Sequence, residues 1–215
     1  MTIKTANICL LGITVLVFFI GATVYPFLPE QVVSHWDAAG EPNGLMFKFW
    51  GVFLLPIMMV GILLLYFIIP KIDPLKENIK EFRGHYNNFW VFVFVFFFYV
   101  FSLTLAWNLG YRFNFTITII PAIATLLYVI GDVLEASKRN WFLGIRTPWT
   151  LLSDTVWKKT HILGGKLFKI AAAVSLLGVF FRDSLSIAAI IVLPIFIIMI
   201  ISFVYSYVEF RKQPK

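Results

Sequence analysis

The sequence predicts an all-α integral membrane protein with six transmembrane helices and both termini in the cytoplasm. Three observations carry that prediction. Apolar and aromatic residues make up 60% of the 215-residue chain, 13% is charged, and mean hydropathy is +0.87. An ordinary soluble domain is about 45–50% apolar and about 25% charged, so a cytosolic globular enzyme is excluded. The apolar residues fall in runs of the length that crosses a bilayer core, roughly 20 residues. The basic residues gather on alternate connections, as the positive-inside rule requires. The single cysteine, Cys9, rules out a disulfide framework within the chain and a cysteine-rich zinc site.

The first span is Ile8–Leu28. Its Lys4 start suits a signal peptide, but the run is long and no small-x-small cleavage site follows, which favours an uncleaved helix. The outer loop Pro29–Lys48 sets Glu30, Asp37 and Glu41 against Lys48; Gln31–Trp36 reads as extended and Glu41–Gly44 as a turn. Phe49–Pro70 is the second span. The inner loop Lys71–His85 mixes charges, and the Glu77–Lys80 spacing supports a short solvated helix. Tyr86–Tyr111 is the third span. Within it, Phe89–Phe101 alternates Phe and Val like a strand, but an isolated strand leaves its backbone unsatisfied in lipid, so it is read as helix. A tight outer turn near Gly110–Asn114 leads into the fourth span, Phe113–Gly131.

The fifth run, Leu163–Phe181, carries Lys166 and Lys169 in its first half; side chains that reach the interface still allow it to span. Ser184–Val208 is the sixth. Pro56, Pro121 and Pro194 fall inside the second, fourth and sixth spans, where neighbouring helices can satisfy the freed carbonyls. With the N-terminus inside, 15 of the 18 Lys and Arg residues are inside and only Lys48, Arg112 and Arg182 outside. If the fifth run did not cross, Arg211, Lys212 and Lys215 would lie outside, against the rule. One membrane domain results, in three parts: 1–70, the first helix pair with its loop 29–48; 71–131, the inner loop with the third and fourth spans; and 132–215, the long inner segment with the last two.

That inner segment, Asp132–Gly165, holds most of the information. Thr147-Pro148 is a good N-cap and N1 pair, and Ser153-Asp154 is a second helix start. On a helix beginning at Asp154, Val156, Leu163, Leu167 and Ile170 share one arc. Lys158, Lys159, Lys166 and Lys169 share another, while Trp157, His161 and Phe168 share a third. One helix therefore runs from the interface into the membrane, with Gly164-Gly165 as a hinge or a close-packing site. Trp141, Trp149 and Trp157 suit the headgroup level. Arg146 suits helix-end carbonyls, a lipid phosphate or a partner's carboxylate. Asp132 and Glu135 share a face; pairing with Lys138 or Arg139 is favoured over proton transfer.

Chemistry is sparse. His35, His85 and His161 lie in different segments without metal-ligand spacing, and His35 near Asp37 and Glu41 fits a turn-rich polar loop. Neither a glycine-rich phosphate loop nor a nucleophile motif is present. The expectation is no catalysis, no cofactor, no metal and no direct nucleic-acid contact, with membrane lipids as the surroundings.

Gly-Ile-Arg-Thr-Pro-Trp-Thr-Leu at Gly144–Leu151, then Ser153, Val156-Trp157, Thr160-His161 and Gly164-Gly165, resembles the signature of the SdpI family of bacterial immunity proteins. Tyr25-Pro26, Leu28-Pro29, His35-Trp36 and Gly40 resemble the domain of unknown function that often forms the first half of such proteins. Asp132 stands where asparagine is expected, and Ile162 where a basic residue often follows the histidine. The resemblance implies protection from a secreted membrane-active peptide toxin, and a receptor role that holds a cytosolic transcriptional repressor at the membrane. It also implies a toxin- or partner-binding set at Asn140, Gly144, Arg146, Thr147, Pro148, Trp149, Thr150, Ser153, Trp157 and His161. Pro29, His35, Trp36 and Gly40 would contribute from the outer loop. The alternative reading is a small proton-coupled transporter or exporter working through Asp132 and Glu135.

Overall fold

Without water to bond the backbone, each long apolar run must close into a helix. The structure, a computed structural model, describes residues 1–181 and 183–213; the expectations placed on Arg182 and Lys215 lie outside them. In chain order the elements are α1 (Ile3–Val24), β1 (Gln31–Trp36), β2 (Pro42–Phe47), α2 (Lys48–Ile72), α3 (Lys76–Glu81) and α4 (Arg83–Asn108). They are followed by α5 (Phe115–Ala136), α6 (Pro148–Leu152), α7 (Asp154–Ser175) and α8 (Ser184–Arg211). Among the described residues six helices are long and apolar enough to cross a membrane: α1, α2, α4, α5, α7 and α8. The fifth reaches from Asp154 through a 3-10 turn to Phe180, a length of 27 residues. Its Lys166 is exposed, and its Lys169 pairs with Glu135 at 2.8 Å. This is a multi-pass membrane protein.

Side-chain caps define the helix starts. Thr2, Asn114, Thr147, Ser153 and Asp183 each accept a backbone N–H of the first turn. The bond from the Ser186 N–H holds the Asp183 carboxyl below the usual range. The Glu77–Lys80 pair forms on α3 at 2.7 Å and likewise lowers the Glu77 carboxyl.

The helices form two groups. α1, α2 and α4 share a core of large side chains, including Leu10, Met59, Tyr66, Tyr86 and Phe94. α5, α7 and α8 pack through small residues. A Cβ on Gly165 would stand 2.6 Å from the Gly131 carbonyl, and one on Gly131 at the same distance from the Gly165 carbonyl. The glycine pair in α7 is thus a close-packing site rather than a hinge. Contact between α4 and α5 joins the groups.

The structure corrects an all-helical expectation in one place. The outer loop is an antiparallel hairpin pairing Gln31 with Phe47, Val32 with Met46 and Val33 with Leu45. Its turn is Asp37–Glu41, where Gly40 has φ +88° and the Asp37 carboxylate accepts the Glu41 N–H at 3.0 Å. Pro42–Gly44, read from sequence as turn residues, instead begin the second strand. Val32 fits against Gly51 of α2, and the Asn108 side chain bonds both the N–H (2.8 Å) and the C=O (2.9 Å) of Val33. The amide thereby satisfies backbone groups on the free side of β1.

Candidate functional site

The inner segment turns out to be an ordered, hydrogen-bonded loop. Asn140 is fully buried and makes four bonds. It donates to the carbonyls of Lys138 (2.9 Å) and Leu143 (2.8 Å), and accepts the N–H of Phe142 (3.0 Å) and Leu143 (2.7 Å). One side chain thus folds residues 138–143 around itself. Gly144 follows with φ +128°; a Cβ there would lie 2.4 Å from His161 Nε2, so both the backbone angle and the space require glycine.

His161 is the hub between this loop and α7. Its Nε2 accepts the Ile145 N–H at 2.8 Å, and its Nδ1 donates to the Trp157 carbonyl at 2.8 Å. An acceptor at Nε2 and a donor at Nδ1 together describe the neutral imidazole. The ring stacks on Trp157 at 3.9 Å and 15°. Trp157, expected at the headgroup level, is buried instead, and its indole N–H donates to the Ser137 carbonyl at 3.1 Å. The Trp157/His161 side of α7 therefore faces inward, while Ile170 from the aliphatic arc is exposed. Of the other two tryptophans, Trp149 packs on Phe203 and Tyr207 of α8, and Trp141 is exposed.

A chain of hydroxyls completes the arrangement. Thr147 and Thr150 form a reciprocal capping box at the start of α6, with Pro148 at N1. Thr150 also donates to the Ile145 carbonyl (2.8 Å), and Thr147 to Ser206 of α8 (3.0 Å). Ser153 caps α7 and accepts from Gln213 at 2.6 Å, which ties the segment just past α8 to the start of α7. Asn140, Gly144, Thr147, Thr150, Ser153, Trp157 and His161 are thus brought together as one bonded unit. Arg146 stands apart: its side chain is exposed and donates to the Trp141 carbonyl, with no carboxylate partner among the described residues.

Two residues that the sequence reading did not single out latch this unit to the rest of the protein. Asp73, buried just past α2, accepts the N–H of Trp141 at 2.9 Å and of Leu75 at 2.7 Å. Asn78 of α3 donates to the Arg139 carbonyl at 2.7 Å. The Asp73-Pro74 step at the end of an apolar run was the available signal, but it does not say which distant N–H the carboxylate serves.

Ion pairs surround the loop, and their partners differ from those expected. Asp132 contacts His85 at 2.9 Å and Glu135 contacts Lys169, while Lys138 pairs with Glu81 (3.3 Å) and Arg139 with Asp154 (2.9 Å). The helix turns Asp132 toward α4 and Glu135 toward α7, so neither reaches its sequence neighbours. Glu209 of α8 binds both Lys159 and Lys212. Between α3, the end of α5 and the start of α7 lies a cleft of about 490 Å³, lined by Glu81, Lys138, Arg139, Asp154 and Lys158 among others.

The outer-loop residues occupy the opposite end of the bundle. Trp36 stacks on Phe115 at 3.9 Å and meets Trp107 edge-on. Gly40 fits against Asn114, which donates to the Ala39 carbonyl at 2.7 Å. Pro29 and His35 are exposed; His35 bonds Asn43 across the hairpin rather than grouping with Asp37 and Glu41.

Residues 137–206 match the SdpI/YfhL protein family, and residues 12–60 match a domain of unknown function, DUF1648. The chain is 26% identical over 206 residues to the immunity protein SdpI of Bacillus subtilis strain 168, covering 96% of each. A 49-residue stretch is 37% identical to the uncharacterized membrane protein YbgB of the same organism, covering 23% of this chain and 54% of that one. No solved structure matches the chain.

Proposed function

Since the chain carries the SdpI/YfhL family segment behind a DUF1648 segment, we propose that it is a membrane immunity protein protecting its cell from a secreted membrane-active peptide toxin. The observation that carries this reading is the end-to-end similarity to the immunity protein SdpI. Both termini are cytoplasmic, in keeping with 15 of 18 basic residues on that side.

The hairpin end meets the toxin. Its exposed Leu45 and Phe47 offer apolar contact, and Asp37 and Glu41 a negative rim. The termini-bearing end serves a cytosolic regulator, a transcriptional repressor held at the membrane. There Arg146, Trp141 and Phe142 are exposed on a loop whose backbone is fixed by Asn140 and His161. Such a rigid loop presents a guanidinium without a carboxylate partner among the described residues, at little ordering cost. The test is survival of a toxin-sensitive host expressing the protein, on plates containing the family's toxic peptide. Survival above the empty-vector control supports the reading, and death despite confirmed membrane expression refutes it for that peptide.

A further inference from the structure

The termini-bearing end holds a second cavity, away from the loop described above. It measures about 460 Å³ and lies between α1, α2, α3 and the start of α4. This is within the range of small-molecule sites, about 300–1,000 Å³. Its polar side is basic: Lys71, Lys76, Lys80 and Arg83 all line it. Its apolar side comes from Ile3, Phe67, Pro70 and Ile79.

Arg83 is the informative residue. Its guanidinium lies 4.8 Å from the Tyr86 ring and 5.4 Å from the Tyr66 ring, and its Nε is buried without a hydrogen-bond partner among the described residues. Both rings are held in place. Pro70 has no N–H for the Tyr66 carbonyl one turn back, and the Tyr86 hydroxyl donates to that carbonyl instead, at 3.1 Å. The Tyr66 hydroxyl lies within hydrogen-bond distance of the Asn7 and Asn87 side-chain oxygens, at 3.0 and 3.2 Å. A cation is thus positioned by aromatic faces while its Nε–H finds no acceptor among the described residues. Lys71 and Lys76 are exposed and likewise have no carboxylate partner among the described residues; Lys80 is shared with Glu77.

The geometry points to a site for an anionic phospholipid, its phosphate taken by Arg83, Lys71 and Lys76 and its upper acyl chain lying along Phe67 and Ile3. Basic pockets between transmembrane helices are suited to such headgroups. The position favours lipid over free phosphate. α3 joins two spanning helices at the membrane boundary, with Ile79 buried and Lys76 and Lys80 exposed, and the cavity continues into an apolar flank that an inorganic anion leaves empty.

Native mass spectrometry of the full chain in detergent tests this, by titration with phosphatidylglycerol or with phosphatidylcholine of the same acyl chains. The first phosphatidylglycerol binds more tightly than phosphatidylcholine. Arg83→Gln weakens that first event about fivefold, the effect of one cation at a membrane surface, and leaves phosphatidylcholine unchanged. The double variant Lys71→Gln/Lys76→Gln, at two exposed positions, weakens it at least as much. Lys158→Gln/Lys166→Gln, which removes the same charge elsewhere on the same half of the protein, does not. Equal weakening by both doubles would reduce the effect to general surface charge. Displacement of the lipid by millimolar inorganic phosphate would make the site one for a free anion. Either result overturns the proposal.

Discussion

At the residue scale, the bonded unit separates side chains that build the loop from those that remain available. Gly144 belongs to the first kind. Gly144→Ala forces a Cβ into His161 at a backbone angle that side chains disfavour, a penalty of order 1–3 kcal/mol. The expected result is lower membrane abundance and a lower unfolding temperature, read by immunoblot and by heating in detergent. Arg146 belongs to the second kind. Among the described residues its side chain bonds the Trp141 carbonyl alone, so Arg146→Ala should leave abundance and thermal stability near wild type while abolishing protection. Full protection by that variant would remove the functional role assigned to the arginine. Trp157 shows why such sorting needs the fold. A tryptophan beside two lysines reads as interfacial, yet the stacking on His161 and the bond to Ser137 place it in the interior. Its sequence neighbours did not reveal the loop carbonyl that receives its N–H.

At the scale of elements, the spanning helices were legible because length and hydropathy are local properties. The helix starts at Thr147 and Ser153 were legible for the same reason, since a cap and the backbone N–H it accepts lie three residues apart. The hairpin was only half legible. Gln31–Trp36 reads as extended, but Pro42-Asn43-Gly44 carries a turn signal that the actual turn, closed by Asp37 and Gly40, overrides. What fixes the register is distant: the Asn108 amide on Val33 and the Thr116 hydroxyl on the Asp37 carbonyl. Asn108→Ala should therefore loosen the hairpin alone. Backbone amides of β1 and β2 are expected to exchange hydrogen faster while those in α4 keep their protection. Unchanged exchange in β1 would show that packing of Val32 on Gly51 suffices to hold it.

At the scale of the molecule, the two helix groups divide the work. α1, α2 and α4 carry the hairpin and the basic cavity, while α5, α7 and α8 carry the ordered loop; the Asp73 and Asn78 latches connect them at the termini-bearing end. The ion-pair partners show why the site was less legible than the fold. Charge spacing along one helix suggested Lys138 and Arg139 for Asp132 and Glu135, whereas the partners come from other helices. The proposed orientation makes a direct prediction. In a Cys9→Ser background, a cysteine at Asn43 should react with a membrane-impermeant maleimide added to intact cells. One at Gln213 should react only after permeabilisation, and the reverse pattern would invert the topology.

The central claim, immunity, is tested most directly by following the membrane potential of a sensitive host with a voltage-reporting dye while the family's peptide is added. The account predicts that cells expressing the protein hold their potential while empty-vector cells depolarise, and that cells expressing the equally abundant Arg146→Ala variant depolarise as well. Depolarisation of cells with confirmed wild-type protein in the membrane would contradict it.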